Sequence, residues 1–287
     1  MSRPAAIGAT ISLVMRRLLL SFIVLALAVP LAAQRGGGGG GNLGALGQAV
    51  RRPPAPTGPA PRLPNGHIDL SGVWVGGGAV NDMERDGGLQ PGTMDALLQP
   101  WAKTLRDSRN EVDEPYLQCL PSGIVRGTPY PWRIIQNYTH KPETHIFRVE
   151  EGSIHSYRQI FMDGRAHPPD PDPSWYGHSI GRWEGDTLVV DTVGYNGKFW
   201  FDRRGHPHTE QLHVVERYTR VDMGRLQIQV TIDDPGAYVK PFTLTFNARL
   251  APGDEIMENI CQENNQFGIA GGHDVPSAKQ QPAEPAR

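Results

Sequence analysis

Cysteine is scarce in this chain: there are two in 287 residues, Cys119 and Cys261. Neither has another cysteine at metal-ligand spacing, which excludes a zinc–thiolate site. An excess of one charge is missing too. The formal net charge is -2, with basic residues scattered among acidic ones, so no basic face is offered to a nucleic acid. There is no phosphate loop, because the glycine run at 36–41 has no strand before it and no helix after it. No serine has an evident partner for nucleophilic work. The apolar run at 18–33, LLLSFIVLALAVPLAA, is too short and too abruptly ended for a membrane span.

That run is preceded by Arg16 and Arg17 and followed by small residues, the pattern of a secretory signal. Residues 1–33 therefore read as a leader cut near Ala33, and Met15 heads a better signal than Met1 does. The expected location is periplasmic or secreted, with no membrane span after cleavage. Residues 34–64, six glycines and then RRPPAPTGPAPRLP, have almost nothing to bury and read as a disordered tether. Residues 271–287 form a similar polar tail. The stretch 65–270 is long enough for one domain with its own core. In an exported protein, Cys119 and Cys261 are expected to pair. On the chain-entropy model, closing so long a loop contributes roughly 4–5 kcal/mol.

From Trp132 onward the hydrophobic period is two. Strands are expected at 133–140, 144–150, 153–162, 178–184, 187–195, 211–221, 225–233 and 241–250. Gly185-Asp186 and Asp222-Met223-Gly224 are good turns between them. Sequential strands with short loops predict an all-β fold, an antiparallel up-and-down barrel. A helix is expected around 94–106, started or interrupted by Pro100, with Leu97, Trp101 and Leu105 capping the barrel.

Two resemblances add to this. Gly72-Val73-Trp74 at the first strand of a meander resembles the opening of lipocalin-like barrels, which implies a Trp plugging the barrel floor. The elements DLSGVW, CLPSGIVR, FMDGRAHP, GHSIGRWEGDTLVVDTVGYN, HTEQLHVVERYTR and MENICQEN are similar to those of a large family of exported bacterial proteins. That resemblance implies export and a shared fold, and it carries no activity.

The residues that could do chemistry concentrate between Met162 and Tyr195. Around a Gly185-Asp186 turn, pairing runs Glu184–Thr187, Arg182–Val189, Ile180–Asp191 and His178–Val193. One face then carries His178, Arg182, Glu184 and Asp191, and the other carries Ser179, Trp183, Leu188, Val190 and Thr192. If the first face lines the lumen, Asp191 can orient His178 and hold Arg182 for acid–base work or for gripping a carboxylate. If it faces water it is an ordinary polar surface, and the apolar face is the cleaner of the two. Trp175 and Tyr176, beside the stiff PPDPDP segment, could wall a ligand pocket. Asp163 and Arg165 sit in a tight turn nearby.

Glu216 shares its strand face with Leu212, Val214 and Tyr218, so it is expected to point inward and either to pair with an arginine such as Arg182 or Arg158 or to have a raised pKa. His206 and His208, with Asp202 nearby, are weak metal candidates. No cofactor is expected. The function expected is a barrel holding a small, partly apolar ligand in its lumen. The alternatives are an isomerase, lyase or hydrolase using His178, Asp191 and Glu216, or an envelope structural protein. Oligomeric state stays open.

Overall fold

The structure, a computed structural model, describes residues 51–127, 130–139, 144–150, 156–256, 258 and 260–261, with residue 150 described by its backbone alone. The expected leader at 1–33, the first part of the tether and the tail from 271 lie outside these residues.

Nine strands form a closed barrel in sequence order. They are β1 (Gly72–Gly76), β2 (Trp132–Gln136), β3 (His145–Glu150), β4 (Tyr157–Phe161), β5 (His178–Glu184), β6 (Thr187–Val193), β7 (His213–Arg220), β8 (Arg225–Asp233) and β9 (Phe242–Leu250). Closure comes from β9, which pairs antiparallel with β1 through Trp74 and Leu250. The period-two pattern sets the inside. Leu226, Ile228, Val230 and Ile232 of β8 are buried, as are Leu244, Phe246 and Ala248 of β9.

One joint departs from the expected antiparallel meander. β4 and β5 pair in parallel, Ile160 beside Ser179 and Phe161 beside Ile180. A parallel pair needs a connection that runs back the length of the strands, usually a dozen residues or more. Residues 162–177, which include Pro168, Pro169, Pro171 and Pro173, make that return.

The strand registers give the barrel two ends. At the floor lie the start of β1 and the turns β5–β6 and β7–β8. Trp74 is fully buried there, its indole N–H donating to the Leu70 carbonyl at 2.9 Å. The Arg220 guanidinium sits 4.9 Å over the Trp74 ring and donates to the Asp69 and Met223 carbonyls. Gln136 accepts from the Leu70 N–H and donates to the Ile68 carbonyl, which fastens the incoming chain.

The opposite, cap end collects the connections 77–131, 194–212 and 234–241. The helix expected at 94–106 is two helices, α2 (Thr93–Leu97) and α3 (Pro100–Ser108), preceded by the short α1 (Met83–Asp86). Leu98 and Gln99 are extended because Pro100 disfavours a helical residue before it and starts a new helix after it. The expected stripe is therefore broken. Leu97 is buried, but the buried residues of α3 are Ala102 and Arg106, and Trp101 is exposed. Gln99 N–H to the Ala237 carbonyl and Val239 N–H to the Leu97 carbonyl tie these helices to the β8–β9 connection.

Cys119 and Cys261 form a disulfide across 142 residues, with Cα atoms 5.6 Å apart. Among the described residues no helix is long and apolar enough to cross a membrane.

Candidate functional site

The β5–β6 register matches the pairing drawn from the Gly185-Asp186 turn, residue for residue. The faces resolve as the cleaner apolar pattern favours. Ser179, Leu188, Val190 and Thr192 are buried inside the barrel, whereas Arg182 and Glu184 are exposed outside. His178 and Asp191, only partly buried, share that outer face. Arg182 is bonded to Glu184 at 2.7 Å, and Arg217 pairs with the same carboxylate.

Polarity nevertheless reaches the lumen, through the other face. Glu216 is buried on β7 and pairs with Arg158 of β4 at 2.5 Å. The Arg158 guanidinium also donates to Ser179 Oγ at 3.0 Å and to Thr192 Oγ1 at 2.6 Å. The Tyr218 hydroxyl donates to Glu216 Oε1 at 2.7 Å. Arg148 of β3 lies 3.4 Å from the Tyr218 oxygen and stacks over Trp132. Burial works against the Arg158 charge, but the Glu216 carboxylate outweighs it and the guanidinium is held more firmly protonated than usual. Burial, then Glu216, pushes the Tyr218 phenol up to about 12, and burial raises Tyr195 as well. Both phenols stay neutral.

The network opens at the cap end onto a small pocket lined by Gly123, Ile124, Arg148, Ser156, Arg158 and Tyr176. Its space for the centre of a water is about 10 Å³, roughly what one water molecule needs. Tyr176 closes one side, its hydroxyl 2.9 Å from Ser156 Oγ. Gly123 and Ile124 also line the pocket, in a stretch of unusual backbone: Gly123 has φ 73° and the next residue but one, Val125, has φ 68°. A Cβ at Gly123 would collide with the Phe199 ring. A β-branched residue in the left-handed region costs of order 1–3 kcal/mol and persists where the surroundings over-determine it. Here the Ala79 N–H to Val125 carbonyl bond, the buried Arg126–Glu114 pair at 2.6 Å and the Cys119 bridge do so.

The sequence-derived candidates are thus divided by the barrel wall. Glu216 is inside, and His178 and Asp191 are outside, so these three do not share a site. Tyr176 lines the pocket, while Trp175 packs against the core. Asp163 and Arg165 pair with each other on the surface, and Arg165 holds the Asp163 carboxyl down at about 2. Outside, a chain of contacts runs from His178 through His167 to Asp191 and His213. Asp191 touches His178 through His167.

His206 and His208 are buried in the β6–β7 connection. His206 Nδ1 meets Asp202 Oδ2 at 2.7 Å, and His208 Nδ1 meets the Thr209 carbonyl at 3.1 Å. The Nε2 atoms of both are buried and without a hydrogen-bond partner. Among the described residues, no three His, Cys, Asp or Glu side chains are grouped to hold a metal ion. His208 packs against Phe199 and Phe201, and burial pushes its imidazole down to about 3. Its value is depressed, so the stability of the neutral ring is fully present above pH 6.5 and is lost as pH falls from there toward 3. Ring-proton NMR is expected to show no His208 titration between pH 7 and 5; a midpoint near 6.5 would place this ring in solvent.

The comparisons decide little. No family model, curated protein or solved structure matches the chain. What the site can do therefore follows from its own chemistry: a guanidinium–carboxylate pair, three hydroxyls within bonding distance of it, and an aromatic side wall at Tyr176. Arg158, Ser179, Thr192 and His167 are the residues that sequence reasoning did not single out for the site. Arg158 alone had a signal, as a named partner for an inward carboxylate.

Proposed function

We propose that this chain is an exported barrel that binds a small, partly apolar molecule at the cap end of its lumen, with a polar group of the ligand directed at the Arg158–Glu216 network. The observation that carries this reading is the buried network itself. A hydrophobic pair of similar volume would stabilise a barrel core as well or better than a buried ion pair, so stability alone gives no reason for it. It also borders a pocket instead of being sealed within the core. The pocket is water-sized as it stands, so a ligand enters by displacing Tyr176 and Ile124 outward. Export rests on the leader-like segment at 18–33 and on the resemblance to exported proteins.

The enzyme reading has one observation in its favour, a neutral Tyr218 hydroxyl donating to Glu216, an acid and a base in hydrogen-bond contact. It loses the proposed use of His178 and Asp191 at the same centre.

Thermal melts against a panel of small aromatic and aliphatic molecules bearing one polar group test the proposal. A ligand at 100 times its Kd adds about 2.7 kcal/mol, roughly 5–10 °C in Tm. The double variant Arg158→Met/Glu216→Leu is expected to fold and to lose the response. An equal response from both proteins would move the ligand away from this network.

A further inference from the structure

Outside the barrel, the return segment 162–177 is fastened to the wall by imidazoles. His167 Nδ1 lies 2.8 Å from His178 Nδ1 on β5, and His167 Nε2 lies 3.1 Å from Asp191 Oδ1 on β6. The same Asp191 oxygen is 2.9 Å from His213 Nε2 on β7. A carboxylate only accepts, so both Nε2 atoms facing it carry hydrogens. His167 Nδ1 and His178 Nδ1 must then share one hydrogen, one ring donating and the other presenting its lone pair. Two neutral rings satisfy that contact, and so does a single imidazolium. Two imidazolium rings do not, because their N–H groups point at each other and their charges repel across 2.8 Å.

We propose that the His167–His178 contact is a pH-operated latch: it holds the 162–177 segment against the barrel at neutral pH and releases it when both rings are imidazolium. The charged and titratable neighbours set its direction. Asp191 touches His167 directly. His178 faces Arg165 of the same segment, whose guanidinium lies 3.9 Å over Phe161, and Phe161 in turn stacks on His178 at 5.2 Å. Asp163 neutralises part of Arg165. His145 of β3 abuts Phe161 from the other side, and His213 of β7 shares Asp191. Burial, then His167, then Arg165 hold the His178 imidazole below its ordinary 6.5. With the folded value depressed, the latch is intact above pH 6.5 and is lost as pH falls below it.

The far end of the segment carries Tyr176, which closes the cap-end pocket, and Ser174, whose N–H bonds the Gly194 carbonyl at 3.0 Å. Release would draw Tyr176 off Ser156 and open the pocket under acid. This last consequence rests on the binding reading above; the latch itself does not.

Hydrogen exchange on the full chain tests it, with rates corrected for intrinsic pH dependence and β8 as the internal reference. Protection across 163–177 is expected to fall at least tenfold between pH 7.5 and 5.0 while β8 keeps its own. His178→Phe preserves the stack on Phe161 and cannot take the second proton, so its segment should show the same protection at both pH values. His167→Gln serves if that variant melts early, since it too removes the paired cations. Unchanged wild-type protection at pH 5.0 would overturn the latch, as would a loss in His178→Phe as large as in the wild type. Released segment with unchanged ligand affinity and entry rate would overturn the gating and spare the binding reading. No ligand response at pH 7.5, with the protection change present, would remove the binding reading and leave the latch standing.

Discussion

Glu216→Leu is expected to lower stability by about 3–5 kcal/mol, because it strands the Arg158 charge inside the barrel. For a domain of this size that corresponds to a fall of roughly 6–20 °C in Tm. The guanidinium would keep its bonds to Ser179 and Thr192, but neither hydroxyl supplies negative charge. The Tyr218 hydroxyl would lose its acceptor as well. The double variant Arg158→Met/Glu216→Leu removes both charges at similar volume, and it is expected to recover most of the loss. Urea melts of the three proteins measure the coupling. A single-variant cost under about 1 kcal/mol, typical of an exposed pair, would show that the pair is solvated and that the lumen is open to water.

Removing the disulfide should have an effect of similar size. Cys119→Ala/Cys261→Ala frees a loop of 142 residues, and the chain-entropy model gives about 4–5 kcal/mol for such a closure. The loss should show as a lower urea midpoint, and reductant should lower the wild-type midpoint toward that of the variant. The variant itself should not respond to reductant. Because Cys119 leads into the strained wall at Gly123 to Val125, exchange protection there should fall further than in β8. Coincident wild-type midpoints with and without reductant would mean that the bridge adds nothing to stability.

Much of the barrel was legible because its signals are local. Gly185 has the positive φ of 60° that a two-residue hairpin turn needs at its first position, so the β5–β6 register followed from the turn. Leu188 and Val190 told which face was inside. The parallel joint was legible in principle as well: a proline-rich connector of sixteen residues between two strands is too long for a hairpin. Its prolines suggest only a stiff segment, whereas its length is what a parallel crossover requires.

The site was less legible, because its contacts are non-local. Glu216 announces itself by standing among Leu212, Val214 and Tyr218. Ser179 and Thr192 are unremarkable in sequence and matter only because they flank the Arg158 side chain. His167 reaches Asp191 across 24 residues by way of the return segment, so nothing near either residue predicts the contact. The Asp191–His178 link expected from the hairpin diagonal is made indirectly, with His167 between them. His206 and His208 looked available on an extended chain, but the β6–β7 connection folds inward and buries them in the cap.

The central claim is that the cap end of this barrel holds a small molecule. Native mass spectrometry of the full chain, purified after export and kept near pH 7.5, tests it most directly. The account predicts a species heavier than the disulfide-bonded chain that sheds a discrete small mass on denaturation, and no such species from Arg158→Met/Glu216→Leu. A bare chain mass in both proteins, with no melt response across the ligand panel, would contradict it.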